Sequence, residues 1–200
     1  MEFPEFFDEA PRIATHDPLA KFLGAASDGI IEYRYADVVK LAGHSCPTVA
    51  SAYLMTRAAL KALYPDTLPV RGEVRVELRG ERTAGATGVI ANVVSLLTGA
   101  THDTGFRGIA GRFDRRGLLF FDVEIPGQIR YIRVDAAKAV TASAQLDRIA
   151  ADSRAAFLLP RCLAGTASAD EAALFQSVWQ SRVRTLLTQY ADDPDVIIIH

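Results

Sequence analysis

The sequence predicts an α+β protein in which helices cover a mixed or antiparallel sheet and a long helix follows near the C-terminus. Three observations favour this class. Residues 73–79 alternate charged and apolar side chains, which is typical of a half-buried strand. Residues 47–64 carry apolar side chains at helical spacing. Ser168 and Glu171 have the spacing of a capping box that begins an amphipathic helix.

The first half of the chain carries local start and stop signals. Asp17 before Pro18 begins a short predicted helix, and Gly24 ends it. Pro47 suits the first position of a second helix, and Gly99 suits the end of a third. The predicted elements after Gly24 are, in order, a strand over 29–35, a helical turn over 37–42, the helix 47–64, the strand 73–79 and a buried helix over 89–98.

The second half predicts strands and then helices. Residues 106–113, 118–124 and 129–135 are separated by Arg-Arg-Gly and Pro-Gly turns and predict an antiparallel meander. Beyond Asp135 the pattern predicts helix. We therefore expect an α+β domain over residues 1–145 and a helical extension over 146–200 that packs on it or on a second subunit. The large apolar residues at helical spacing in this extension are Phe175, Val178, Trp179, Leu186 and Tyr190.

Composition excludes several functions. The 22 basic and 24 acidic residues give a formal net charge of −2, which provides no general field for nucleic acid. The first ten residues are acidic, and no apolar run is long enough to cross a membrane, so we expect a soluble, cytoplasmic protein. Two cysteines are typical of a reducing compartment. The basic residues are mostly arginine, which favours a compositional bias and leaves a dedicated anion site as the alternative.

The segment Gly43-His44-Ser45-Cys46-Pro47 is the strongest candidate for chemistry. Pro47 at the first helical position places Cys46 at the N-cap, where the free amides and the positive helix end favour a thiolate. His44 lies two residues earlier, so an imidazole and a thiolate can reach one point. This pair favours zinc among the common metals, and the alternative is a small buried cysteine beside a structural histidine.

A zinc site normally requires at least three protein ligands. His102 is the preferred third ligand, because it lies in a glycine-bracketed loop, residues 98–105, after a buried helix. A surface histidine is an equally good interpretation of His102. The remaining candidates are His16, Asp103, Cys162 and His200.

These residues resemble the FmdE family, named after a component of formylmethanofuran dehydrogenase, whose members carry a Gly-His-x-Cys-Pro-Gly motif that begins a helix. Gly43, His44, Cys46 and Pro47 match this motif, and Thr48 stands in place of its last glycine. A second family signature, Thr-Gly-Cys-Thr, resembles residues 98–101, where Ala100 replaces the cysteine. The resemblance covers residues 37–121 and includes neither the additional cysteine between the motifs nor the zinc-ribbon tail of some relatives.

The resemblance implies an α+β fold similar to the catalytic domain of glyceraldehyde-phosphate dehydrogenase, and a homodimer. It also implies that His44 and Cys46 are metal ligands, with His102 as our substitute for the lost cysteine. The family name comes from an operon that also encodes a molybdenum or tungsten oxidoreductase. One interpretation is therefore that the chain is an accessory subunit of such a system.

Three functions follow from these residues. The first is a metal-binding protein, with zinc or another divalent transition metal, that is either a small-molecule enzyme or an accessory subunit. The second is a metal-free enzyme that uses Cys46 as nucleophile and His44 as base. The third is a non-catalytic, metal-dependent regulatory or interaction protein. No nucleotide site is predicted, because residues 80–88 lack the Gly-x-Gly-x-x-Gly order.

Overall fold

The computed structural model describes residues 2–200, which form a mixed α+β fold with two sheets. Its helices are α1 Phe6–Glu9, α2 Pro18–Phe22, α3 Tyr35–Ala42, α4 Pro47–Leu63, α5 Thr87–Thr98, α6 Ser153–Leu163 and α7 Ala169–Thr188. Its strands are β1 Ile13–His16, β2 Ile30–Tyr33, β3 Val74–Leu78, β4 Leu119–Phe120, β5 Ile129–Arg133, β6 Ala139–Ala144 and β7 Ile197–Ile199.

The larger sheet is mixed and has the strand order β4-β3-β5-β6-β7. β3 pairs with β4 in parallel, and the other pairs are antiparallel. The alternation predicted for residues 73–79 is present in part: Val74, Val76 and Leu78 are buried and Arg75 is exposed, but Glu77 is buried and pairs with Arg130. A separate antiparallel ribbon joins β1 and β2.

α4 is the central helix of the hydrophobic core. It packs against α5, α7 and strands β5, β6 and β7, so most of its surface is covered. Alanines at positions 50, 52 and 59 are fully buried and allow these neighbours to approach closely. Its buried Thr56 shares a 2.9 Å hydrogen bond with the Tyr131 hydroxyl on β5, which ties the helix to the sheet.

The predicted meander is wrong in two of its three segments. Residues 106–113 form no strand, because Ala110 and Phe113 have φ values of 48° and 63°, which interrupt extended backbone. β4 has two residues, and it pairs in parallel with β3. The third predicted segment is confirmed as β5.

The helix predicted directly after Asp135 is also wrong. Residues 139–144 form β6, which lies between β5 and β7 in the sheet. Alanine-rich composition favours helix there, but pairing with both neighbouring strands satisfies the backbone of this segment. α6 and α7 follow later, and the capping box of Ser168 and Glu171 is present at the start of α7.

Residues beyond 145 contribute to the same core as the earlier ones. Val183, Leu186 and Leu187 of α7 are fully buried, and β7 adds a strand to the larger sheet. The α7 helix therefore lies against α4 and α1. Within residues 2–200, no helix has the length and apolar character that would be required to cross a membrane.

Candidate functional site

The junction between α3 and α4 has the geometry that the sequence predicts. Gly43 ends α3 with a φ of 74°, a left-handed conformation that glycine adopts without strain. Cys46 is the N-cap of α4, and Pro47 occupies the first turn. The amide of Val49 donates a hydrogen bond to Cys46 Sγ at 3.5 Å. The thiol therefore lies at the positive end of a 17-residue helix.

His44 is exposed and oriented by its own backbone neighbourhood. Its Nδ1 lies 3.0 Å from the carbonyl oxygen of Ala42. If Nδ1 carries the proton, it donates to that carbonyl and leaves Nε2 with a lone pair directed away from the bond. Histidines that ligate metals are commonly fixed in this way through their second nitrogen.

Ser45, between His44 and Cys46, is held by three side chains, and we call this arrangement the Ser45 clamp. Its carbonyl accepts hydrogen bonds from Trp179 Nε1 at 3.0 Å and Gln180 Nε2 at 3.2 Å. Its hydroxyl donates to Gln180 Oε1 at 3.0 Å and lies 3.0 Å from the Tyr35 hydroxyl. Helix α7 therefore fixes the loop that carries the histidine and the cysteine.

Tyr35 remains a neutral donor in the Ser45 clamp. Burial raises its pKa well above the usual value of 10, against a smaller lowering effect of the Ser45 hydrogen bond. The phenol can therefore donate to Ser45 Oγ, which in turn donates to Gln180. Each hydroxyl of this chain donates to the next acceptor, so the hydrogen bonds reinforce one another and stiffen the loop.

Two apolar hollows flank this loop. One has a volume of about 330 Å³, and Phe7, Ser45, Phe175 and Trp179 contribute to its wall. The other has a volume of about 260 Å³ and is lined by Pro47 and by residues of α6 and α7, including Trp179. The Trp179 ring lies between them, so apolar groups of a small molecule would find surfaces on either side of the loop.

His102 lies in a different environment. Its Nδ1 is 2.8 Å from a carboxylate oxygen of Asp103, and Arg82 Nη2 is 3.0 Å from both of its ring nitrogens. A guanidinium at this distance repels a second cation and occupies the lone pair that a metal would require. This environment is unsuited to the zinc ligand that the sequence predicts.

The other candidate ligands are dispersed over the fold. His16 ends β1, and its ring lies beside Gly29. Cys162 is half-buried on α6, and the exposed His200 pairs through its backbone with Thr141 of β6. Among residues 2–200, no three His, Cys, Asp or Glu side chains form a group that could hold a metal ion. His44, Cys46 and His102 therefore do not form the predicted three-ligand site within one chain.

Sequence reasoning misses the partners of the loop. Helical spacing assigns Trp179 to the packing face of the C-terminal helix, and it singles out neither Gln180 nor Arg82. A tryptophan followed by a glutamine on a helix is only a weak signal for a contact with a distant loop. The same pair is also compatible with an ordinary solvent-exposed edge of the helix. The hydrogen bonds join residues about 135 positions apart, a distance that no local pattern reveals.

No protein-family model matches this chain, and no curated protein matches it. The resemblance to the FmdE family therefore stays a prediction that depends on the residues of the two motifs.

Proposed function

We propose that this chain is a metal-binding protein that binds one divalent transition metal, zinc by preference, through His44 and Cys46. The observation that carries the proposal is the construction of the loop: Cys46 Sγ at the N-cap accepts the Val49 amide, and His44 is fixed through Nδ1. A thiolate and an imidazole that are held in this way are suitable donors for zinc.

Two donors are fewer than the three protein ligands that a catalytic zinc site normally has and the four of a structural site. Structural zinc sites have four protein ligands, whereas catalytic sites leave at least one position for water or substrate. Two donors from this chain require that further ligands come from outside it, namely water, a small molecule or a second copy. When bound, the metal would supply Lewis-acid chemistry beside the two apolar hollows.

Cobalt substitution tests this proposal without an activity assay. We expect a thiolate-to-cobalt charge-transfer band in the wild-type protein and in Cys162→Ser. We expect the band to be lost in Cys46→Ser, which keeps an N-cap oxygen and should therefore fold. His44→Ala should weaken zinc binding at least tenfold, and His200→Ala should not change it. Equal zinc affinity in wild type, Cys46→Ser and His44→Ala would overturn the proposal.

A metal-free cysteine enzyme is the second candidate, because the Val49 amide also stabilises a thiolate nucleophile. Alkylation in a Cys162→Ser background separates the two functions. A metal-bound thiolate reacts slowly with iodoacetamide until a chelator is added. Fast reaction that zinc does not slow favours the metal-free enzyme.

We also propose a homodimer, as the family resemblance implies, in a reducing compartment such as the cytoplasm, where both free cysteines would persist. Phe157 and Leu163 of α6 are 67% and 79% exposed, which is unusual for large apolar side chains and suits a contact with a second copy. Sedimentation of wild type against Phe157→Glu and Leu163→Glu tests this contact. A non-catalytic regulatory role would keep the dimer and the metal but give no turnover.

A further inference from the structure

We propose that the cleft around Arg82 and His102 is a binding site for a phosphorylated small molecule, separate from the His44–Cys46 loop and independent of the function proposed above. The cleft lies between α5 and the end of β4 and has a volume of about 480 Å³. This volume is within the range of small-molecule sites, about 300–1,000 Å³. Its wall includes the polar side chains of Asn92, Ser95 and Thr104.

Arg82 is the main anion-binding group of this cleft. Its guanidinium lies 5.3 Å from the centre of the Phe121 ring, which supports it from one side. Among residues 2–200, no carboxylate lies within 4.0 Å of it, and its Nε and Nη1 donate to no protein acceptor. An arginine whose planar fork retains unused donors is suited to a bidentate contact with a phosphate oxygen pair.

His102 provides the second group, and Asp103 positions it. The 2.8 Å contact between His102 Nδ1 and Asp103 fixes the ring, and the hydrogen bond from His102 holds the pKa of Asp103 below its usual range. Asp103 therefore stays an acceptor for Nδ1–H near neutral pH. Arg82 Nη2 lies 3.0 Å from His102 Nε2, so the imidazole holds the guanidinium in place and leaves its Nε and Nη1 to contact an oxyanion.

The start of α5 borders the same cleft. The helix has no side-chain cap, and Gly88 of its first turn lines the cleft. The first amides of a helix point outward and favour anions. A phosphate monoester would contact Arg82, and the hydroxyl and amide side chains nearby suit a hydroxylated body attached to it.

Calorimetric titration of the full chain with inorganic phosphate, glycerol 3-phosphate and acetate tests the proposal. We expect saturable binding with one site, tighter for glycerol 3-phosphate than for phosphate, and weakest for acetate. Arg82→Gln and His102→Gln should each raise the Kd at least tenfold, and Arg82→Lys should have an intermediate effect because it keeps the charge without the fork. Arg107→Gln is the matched control, an exposed arginine in the next loop, and should bind as wild type.

Three results would overturn the inference: no binding of either phosphate compound at millimolar concentration, unchanged binding in Arg82→Gln, or an equal loss in Arg107→Gln. Tighter binding of acetate than of the phosphates would also overturn it, since the ligand class would then be a carboxylate. His44→Ala should keep phosphate binding, and His102→Gln should keep cobalt binding. If one of the two proposed sites fails its test, the result for the other site can therefore still be interpreted.

Discussion

Arg115 donates a hydrogen bond from Nη2 to Asp17 Oδ1 at 2.8 Å, although the two residues are 98 positions apart. Both are buried, with 5% and 3% of their surface exposed. The same carboxylate accepts from Arg71 and from the amides of Leu19 and Ala20 at the start of α2. One carboxylate thus pairs with two arginines and caps a helix.

Asp17→Asn should be severely destabilising. It keeps a side-chain acceptor for α2 but leaves two guanidinium groups without a counter-charge, which costs about 3–5 kcal/mol when the charges are buried. Urea denaturation at neutral pH measures this loss. Asp152→Asn is the matched control, because Asp152 caps α6 and pairs with the exposed Arg154, and its loss should be clearly smaller. Equal losses in the two variants would contradict the buried pairing.

The pH dependence of the same pair follows from the pKa of Asp17. Burial alone would raise this pKa, but the hydrogen bonds from Arg71 and the Ala20 amide and the charge of Arg115 outweigh it and lower the pKa below 3.8. The carboxylate therefore stabilises the fold above the unfolded value and loses this contribution as the pH falls through the native one. The difference in unfolding free energy between wild type and Asp17→Asn should be constant near neutrality and shrink below pH 3.8. A difference that grows in acid would contradict this sign.

Gly72→Ala should cost more than the backbone conformation alone requires. Gly72 has a φ of +90°, and a Cβ there would overlap Arg115 Nη1, so the guanidinium would have to move away from Asp17. Gly24→Ala is the control, because its φ is +74° and no atom lies within 4 Å of its Cβ. Left-handed strain alone costs about 1–2 kcal/mol, and thermal unfolding should show a clearly larger loss in Gly72→Ala.

Trp179→Phe should loosen the Ser45 clamp. It removes the indole donor to the Ser45 carbonyl and should cost about 1 kcal/mol of stability. In a metal-free Cys162→Ser background, Cys46 should react several-fold faster with iodoacetamide because its loop opens more often. Gln176→Ala, on α7 one turn before Gln180, changes no hydrogen bond of a described residue and serves as the control. An unchanged rate in Trp179→Phe would show that the clamp does not limit access.

Unfolding at alkaline pH should be coupled to the ionisation of the buried tyrosines. Burial raises the pKa of Tyr35, Tyr53 and Tyr131 well above 10. These groups stabilise the fold below the unfolded pKa of 10, and their contribution is lost as the pH rises above it. Tyrosinate absorbance from these three residues should therefore rise together with the loss of circular dichroism. Tyr131→Phe should weaken this alkaline dependence, and tyrosinate that appears in a fully folded protein would contradict the prediction.

Local signals predict the elements that local chemistry determines. The cap and proline of α2, the N-cap cysteine and Pro47 of α4, the alternation of β3 and the Gly99 end of α5 are all visible in the sequence. The errors fall where long-range pairing decides the structure. β6 is a strand because β5 and β7 hydrogen-bond to it, and β4 is parallel because a loop returns the chain beside β3.

The candidate site is likewise predictable from the sequence only in part. The placement of Cys46 at a helix start is predictable, whereas the contact of Arg82 with His102 requires two loops that are separate in the sequence to meet. The arginines also illustrate the limit of composition. A bias toward arginine is a sufficient explanation of Arg115 in the sequence, yet its burial against Asp17 shows that this side chain is part of the core.

The arrangement around Ser45 also constrains the order of events during synthesis. Helices α3 and α4 leave the ribosome long before Trp179 and Gln180 are added to the growing polypeptide. Until then the loop that carries the Cys46 thiol lacks its hydrogen bonds to α7, and the thiol is accessible to oxidants and metal ions. The nascent molecule therefore acquires its finished histidine–cysteine geometry only with its final helix, and translation pauses ahead of that helix would lengthen the vulnerable interval.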